Sequence, residues 1–145
     1  MSDAKYRHTV PLQVRFNDLD VLGHVTNAVY QVYYSQAGVS YYESVLNEQR
    51  YTSNINFVMA TITIDYFKSI MFNANIAVQI RVAEIGEKSF EFRGQIIDLD
   101  DGTLYSRSIS QEVCYNSQQR RTVLMPEIWR TNIMNYEYTA PLIRV

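Results

Sequence analysis

One long, proline-free stretch with apolar residues around much of its circumference constrains the fold most. Between Ala28 and Leu46, apolar residues recur every four positions, at Val29, Tyr33, Ala37, Tyr41 and Val45. This spacing predicts an α-helix over about 28–46, with Thr26 or Asn27 as its N-cap. Another side of the helix carries Tyr30, Tyr34 and Tyr42, so the helix must be largely surrounded by protein. Gly38, in its middle, suggests close packing at that point.

Alternating apolar and polar residues predict the strands that would cover this helix. They span about 9–16, 57–67, 75–85, 90–96 and 103–116. Tight turns are expected at 86–88 and 100–102, so successive strands should pair antiparallel. A short helix should follow Pro126, and residues 136–145 form a tail without a clear pattern. The element order predicts one α+β domain over 1–145, with an antiparallel sheet curled around one long central helix.

The alternation also assigns side chains to faces of the strands. In the second strand one face carries Val58, Ala60, Ile62, Ile64 and Tyr66, and in the last strand one face carries Tyr105, Ile109, Val113 and Tyr115. Asp65 shares the other face of the second strand with two threonines. It could line the site, but a position on a solvated face is the stronger expectation. Cys114 lacks a nearby base in sequence and is expected to be a small buried side chain.

Composition excludes several classes of protein. A net charge of -2 argues against nucleic acid as the main partner. The single cysteine excludes a disulfide framework and suits a reducing compartment. With two histidines and no cluster of ligands, the protein is expected to be metal-free. No apolar signal segment and no run of about eighteen apolar residues occur, so the cytoplasm is the expected location and no membrane contact is expected.

The loop before the long helix concentrates groups that acyl transfer needs. Residues 17–27 include Asp18, Asp20, Gly23 and His24. Unpaired N–H groups at a helix N-terminus can hold an anion or a developing oxyanion, and a carboxylate beside them can act as base or nucleophile. The residue types alone nevertheless favour a structural interpretation, because Asp and Asn before a helix are more often caps and a lone histidine is more often structural.

A resemblance changes that weighting. The run RFNDLDVLGHVTNAVYQVYY, residues 15–34, closely resembles the signature of the 4-hydroxybenzoyl-CoA thioesterase-like branch of the hotdog superfamily. That signature has an Arg, an aromatic residue, Asp-x-Asp, a Gly-His pair, an Asn and a Tyr opening the central helix. Residues 61–92 are similar to the family's second and third strands and the turn into the fourth. The likeness covers roughly 9–133 and implies a hotdog fold, with about five strands wrapped around the helix.

The resemblance implies roles for individual loop residues. Asp20 matches the family's catalytic carboxylate, which attacks the thioester carbonyl or activates water. Asn27 matches the helix-opening residue whose backbone N–H points at the thioester oxygen. Gly23 and His24 match the pair that shapes the loop, with His24 positioning the loop or the substrate. Asp18 matches the first Asp of the motif and is expected to be structural.

Expected substrate contacts follow from the same resemblance. Tyr30 matches the family tyrosine near the acyl pocket, and Thr26 stands where the family most often has Asn. Lys68 keeps the family's basic residue after the second strand, although the proline that often follows is missing. Candidate charge partners for the phosphates of CoA are Lys88, Arg120 and Arg121, with solvated surface charge as the default for each.

The predicted activity is hydrolysis of an acyl-CoA to a free acid and CoA. No cofactor or metal is expected, because CoA arrives as part of the substrate. The resemblance implies subunits that pair into a continuous sheet with active sites at the interface, so a homodimer or homotetramer is expected. Three alternatives stay open: a non-catalytic acyl-CoA or acyl-carrier binding module, a hotdog hydratase or dehydratase, and a purely structural oligomerisation domain.

Overall fold

The computed structural model describes residues 5–49 and 52–144. Its elements, in chain order, are β1 (His8–Gln13), a 3-10 turn (Phe16–Asp18), α1 (Asn27–Ser44), β2 (Ile55–Tyr66), β3 (Asn75–Ile85), β4 (Ser89–Asp98), β5 (Leu104–Asn116), β6 (Arg121–Thr122), α2 (Glu127–Tyr136) and β7 (Leu142–Ile143). The five long strands and both helices are the predicted ones. The long helix begins one residue before the predicted start and ends two residues before the predicted end.

All the strands described belong to one sheet. The main order is β1-β3-β4-β5-β2, with every neighbouring pair antiparallel. Two short strands, β6 and β7, add to β5 and β3 and bring the total to seven rather than about five. The predicted α+β hotdog arrangement is confirmed. It leaves β2, a strand of 12 residues, at one edge of the sheet.

Helix α1 buries one side against the inner face of this sheet. Its buried residues are Tyr30, Tyr33, Tyr34, Ala37, Gly38, Tyr41 and Tyr42. The opposite side, with Gln31, Val32 and Ser35, is exposed, so the chain itself covers only part of the helix. Gly38 is buried, but a Cβ there would meet ring atoms of Phe57 only at 3.8 Å, an ordinary contact distance, so the packing at this point does not require glycine.

A β-bulge changes which residues of β2 share a face. The register between β2 and β5 shifts between Met59 and Thr61, and the extra residue reverses the alternation of side chains. Before the bulge Phe57 packs against the core, whereas after it Ile62 and Ile64 do. The single face predicted from Val58 onward is therefore wrong at its start, since Val58 is 45% exposed.

The inner face of β5 is the one that carries its polar residues. Ser106, Ser108, Ser110 and Glu112 are buried there, whereas Ile109 on the opposite face is 42% exposed. The apolar residues of this strand do share a face, but most of that face points away from α1. Buried polar side chains are stable only where they meet hydrogen-bonding partners, which the protein, a bound water or a ligand can supply.

Histidine 8 connects three elements behind the helix. Its Nδ1 lies 3.0 Å from the Tyr136 hydroxyl and its Nε2 lies 3.0 Å from Ser40 Oγ, which joins β1 to α2 and α1. The side chain is buried, and burial lowers the pKa of His8 from 6.5 to about 4. The neutral imidazole is thus the form compatible with the folded state.

A His8→Gln variant should lose part of the pH dependence of stability. The folded pKa is lower than the unfolded one, so the stabilisation from neutral His8 is complete above pH 6.5 and is lost as the pH falls towards about 4. Urea unfolding at several pH values should show the wild type losing more free energy of unfolding than the variant across this window. Parallel pH profiles for the two proteins would contradict this account.

Candidate functional site

The loop between β1 and α1 closes on itself. Leu19 and Val25 form an antiparallel bridge. The Asp20 N–H donates to the His24 carbonyl at 2.8 Å, and the Gly23 N–H donates to the Asp20 carbonyl at 3.1 Å. Gly23 adopts a φ of 81°, a conformation that side chains disfavour. The Gly-His pair therefore forms the turn of a small, ordered hairpin.

The Asp20 side chain is held by this turn. Its Oδ1 accepts hydrogen bonds from the Leu22 N–H at 2.9 Å and the His24 N–H at 3.1 Å. The residue is nevertheless exposed. Both bonds use the same oxygen, so Oδ2 is the oxygen available to a reacting molecule. A fixed carboxylate with one oxygen available is suited to act as a general base or as a nucleophile.

The loop is docked against the segment that joins β2 to β3. His24 forms an antiparallel bridge with Met71, and the Val25 N–H donates to the Ile70 carbonyl at 2.9 Å. The Thr26 N–H donates back to the Asp18 carbonyl at 2.9 Å. These bonds fix where the chain enters α1.

The N-terminus of α1 is open. Thr26 is the N-cap, and its side chain makes no capping hydrogen bond. The first N–H groups of an α-helix, here those of Asn27 and Ala28, have no intrahelical acceptor, and the helix dipole favours negative charge beside them. Both residues are exposed. The end of α1 can therefore accept an anionic atom close to the Asp20 loop.

Asp18 is a buried support of the loop. Its Oδ2 accepts from the Arg15 N–H at 2.9 Å and from the Tyr33 hydroxyl at 2.7 Å. The Arg15 guanidinium lies 3.9 Å from Oδ1. The residue is 6% exposed, so its carboxylate is not open to a substrate. These contacts agree with the structural role expected for the first Asp of the motif.

Two more of the predicted residues lie beside the loop. Tyr30 is buried, and its hydroxyl donates to the Lys68 carbonyl at 3.4 Å. The ring of Tyr30 packs edge-on against Tyr66, whose hydroxyl donates to the Asn27 carbonyl at 3.3 Å. The structure thus brings Tyr30 and Lys68 to the same end of the sheet as Asp20, Gly23, His24, Thr26 and Asn27.

The remaining basic candidates lie elsewhere within the chain. Lys88 is in the turn after β3. The other end of this strand, at Asn75, pairs with the end of β1 that leads into the Asp20 loop. The length of β3 therefore separates Lys88 from that end of the sheet by about 30 Å. The Lys88 carbonyl accepts from the Cys114 N–H at 2.8 Å. Arg121 pairs with Asn116 at that same far end. Within one chain, therefore, these cations do not join Asp20.

Asp65 and Cys114, the other side chains considered for a chemical role, lie outside the loop. Asp65 is exposed on the outer face of the sheet, as expected. Cys114 is buried, and burial raises the pKa of its thiol to about 12, so it is a poor nucleophile. Across residues 5–49 and 52–144, no three His, Cys, Asp or Glu side chains are grouped as metal ligands. Within that same part of the chain, no helix is both long and apolar enough to cross a membrane.

The polar row inside β5 was not among the features predicted from the sequence. The Tyr34 hydroxyl donates to Ser106 Oγ at 2.8 Å. A Cβ at Gly94 would lie 2.7 Å from Ser108 Oγ and 2.9 Å from the Tyr34 ring, so only glycine lets this tyrosine approach β4. The signal was present as serine at every second position. It was missed because polar residues in a strand are usually assigned to the solvent side.

The Tyr33 hydroxyl offers a test of the loop's support. Tyr33→Phe leaves the buried Asp18 carboxylate without its 2.7 Å partner and should lower the free energy of unfolding by about 2 kcal/mol. Tyr30→Phe is the matched control, because its hydroxyl makes only a 3.4 Å contact and should cost about 0.5 kcal/mol or less. Urea denaturation measures both. Equal losses would contradict the role given to Asp18.

Comparison with known proteins adds to this geometry. A family model of the thioesterase-like superfamily matches residues 14–133. The chain is similar to a thioesterase from Thermus thermophilus solved with coenzyme A and zinc, with 26% identity and a TM-score of 0.82 over 93% of this chain and 97% of that one. No sequence of a curated protein matches it significantly.

Two further solved structures share the fold. A 1,4-dihydroxy-2-naphthoyl-CoA thioesterase from Synechocystis has 20% identity and a TM-score of 0.75, covering 87% of this chain and 94% of that chain. A protein from Pseudomonas aeruginosa has 21% identity and a TM-score of 0.86, covering 94% and 95%. At these identities the likeness concerns the backbone arrangement alone.

Proposed function

Because the chain belongs to the thioesterase-like superfamily, we propose that it hydrolyses acyl-CoA thioesters to a free acid and CoA. One observation carries the proposal. An exposed carboxylate, Asp20, is held through one oxygen by two backbone N–H groups beside the open N-terminus of α1. A base or nucleophile next to a site for negative charge is what acyl transfer requires.

The proposed reaction uses these groups in sequence. Asp20 attacks the thioester carbonyl carbon or removes a proton from an attacking water. The backbone N–H of Asn27 stabilises the oxygen of the carbonyl as it gains negative charge. The C–S bond then breaks and the thiolate of CoA leaves. In the general-base route it takes up the proton that Asp20 removed from water, and the acid is released. In the nucleophilic route the thiolate takes a proton from solvent, and water then hydrolyses the acyl-Asp20 anhydride, which releases the acid and regenerates the carboxylate. His24 positions the loop, and the reaction needs neither a metal nor a cofactor.

The residues around the loop supply the proposed substrate contacts. Gly23 and Thr26 border the helix N-terminus, Tyr30 lies by the acyl group, and Lys68 is a charge partner for CoA. The Thermus thermophilus thioesterase was solved with coenzyme A, which supports CoA as the carrier of the acyl group. Lys88 would meet a phosphate only in a neighbouring subunit's site, given its distance from the loop.

Asp20→Asn separates chemistry from loop structure. The Asn carbonyl oxygen can take the place of Oδ1 and keep both backbone hydrogen bonds, but an amide is neither a general base nor a carboxylate nucleophile. We expect thiol release from acyl-CoAs to fall by about 100-fold or more. A colorimetric thiol assay over short, long and aromatic acyl-CoAs measures it, with unfolding curves to check the fold.

Asp65→Asn is the matched control for this variant. It removes the same charge from an exposed position on the outer face of the sheet and should leave turnover within about twofold. Activity of the Asp20 variant equal to that of the control would eliminate the mechanism. Acyl-CoA binding by the wild type without thiol release would instead favour a non-catalytic binding protein.

We also propose that the active form is a homodimer, or a tetramer built from it. The edge strand β2 presents unpaired backbone groups, and α1 beside it exposes Val32 (56%) and Val39 (36%). Exposed valines on a helix next to a long free edge favour pairing with a second copy of the chain.

A charged residue on this face should prevent that pairing. Val32→Glu places a carboxylate in the proposed interface and should shift the protein from dimer to monomer in sedimentation velocity. Leu142→Glu is the control, because Leu142 is 68% exposed in β7, which lies beside β3 and away from β2. A wild type that sediments as a monomer would exclude the dimer.

A further inference from the structure

A cavity lies between α1 and the inner face of the sheet, beyond the Asp20 loop. It has a volume of about 180 Å³ and is partly open to the surface. Tyr34, Gly38, Phe57, Phe92 and Glu112 are among its lining residues. Its walls are mainly apolar and include three aromatic rings, and a carboxyl group is part of its lining. A cavity of about 150 Å³ already holds a benzene ring, so a ring or the end of an alkyl chain fits.

One oxygen of the Glu112 carboxyl lacks a hydrogen-bond partner in this cavity. The residue is 3% exposed, and its Oε2 has no hydrogen bond within the part of the chain that the structure describes. Its register partners, Met59 on β2 and Phe90 on β4, fix its side chain on the inner face. A buried carboxyl oxygen without a donor is unfavourable, so this oxygen calls for a donor from a bound water, an ion or a ligand.

The protonation of this carboxyl supports the same interpretation. Burial raises the pKa of Glu112 from 4.5 to about 7. The Ser110 hydroxyl acts in the opposite direction, by a hydrogen bond that lowers the pKa. Among the described residues no cation compensates the charge, so a donor supplied from outside would stabilise the ionised form.

Packing does not require the glycine at position 38, which lines the cavity together with Glu112. A Cβ on Gly38 would contact Phe57 and Phe92 at 3.8 Å and 3.9 Å without a clash. An alanine would therefore fit and would favour the helix. Glycine at this position keeps the cavity wide, which is consistent with a cavity that is filled by a ligand.

A surface path connects the cavity with the helix N-terminus. Asn27, Gln31 and Ser35 follow one another at four-residue intervals on the exposed side of α1. Their neighbours on β2 are Tyr66, which bonds to Asn27, and Met59, whose sulfur lies 3.7 Å from Gln31 Nε2. Ser35 and Met59 also line the cavity. The path from Asn27 to Ser35 is about 12 Å long.

We infer that this cavity binds the far end of the substrate's acyl group, and that Glu112 selects acyl groups carrying a hydroxyl there. The inference rests on the proposed thioesterase function and names its substrate class. The thioester carbonyl lies at Asn27, the chain follows α1, and the terminal hydroxyl donates to Glu112 Oε2. An acyl group of about 12 Å, such as decanoyl or dodecanoyl, reaches the cavity.

Paired substrates test this selection directly. The full-length wild type should hydrolyse ω-hydroxydodecanoyl-CoA with a kcat/KM about tenfold higher than dodecanoyl-CoA. Glu112→Leu should abolish that ratio while retaining hydrolysis of dodecanoyl-CoA. Butyryl-CoA is too short to reach the cavity, so its hydrolysis should be equal in both proteins. If the leucine variant does not fold, Glu112→Gln takes its place in the test. Glutamine keeps the shape of the side chain and an acceptor oxygen, so this variant should retain only part of the preference.

The possible outcomes separate this inference from the proposed function. A wild-type ratio within about twofold of unity, or the same ratio in both Glu112 variants as in the wild type, overturns the selection of a hydroxyl. A preference for an ω-amino chain over the hydroxylated one also overturns it. Absence of thiol release from every substrate, butyryl-CoA included, overturns the thioesterase. Affinities of the same acyl-CoAs, measured by calorimetry, then decide the hydroxyl preference independently of turnover.

Discussion

Five tyrosine hydroxyls on one side of a single helix must find partners inside the protein, and much of the structure follows from that requirement. Burying a hydroxyl without a hydrogen bond costs about 1–3 kcal/mol. The hydroxyls of α1 reach five different places: the Lys68 carbonyl, Asp18, Ser106, Glu137 and the Ile55 carbonyl. The helix is therefore attached to the loop before it, both ends of β2, the inner face of β5 and the end of α2.

Two of these bonds determine the chemistry near the helix. The bond from Tyr33 holds Asp18, which fixes the start of the loop and thereby the position of Asp20. The bond from Tyr34 requires an acceptor on the inner face of β5, which explains why Ser106 is polar. Because the buried tyrosine rings of α1 end in hydroxyl groups, the sheet that packs against this helix must be partly polar. The row of polar residues on β5 continues past Ser106, the partner of Tyr34, as far as Glu112 in the cavity.

The periodicity of the sequence predicts the elements well and their faces less well. The helix and the five long strands follow from spacing alone, because backbone geometry imposes periods of 3.6 and 2. The face of β2 failed because a bulge at Ala60 shifts the alternation, and a bulge leaves no apolar signal. The apolar residues of β5 share a face as predicted, but most of that face is the outer one. Periodicity could not indicate this, because Ser106 on the inner face has its partner on α1, more than 60 positions away in the chain.

The site shows the same limit. The loop from Asp18 to Asn27 is local in sequence, and its hydrogen bonds are made largely within it, so a motif can represent it. Lys68 and Lys88 were both candidate substrate contacts, yet antiparallel pairing puts the two at opposite ends of the sheet. Position along a strand, rather than residue type, decides which cations can approach Asp20. In a hairpin-rich fold, residues within one tight turn share an end of the sheet, whereas residues separated by the length of one strand lie at opposite ends.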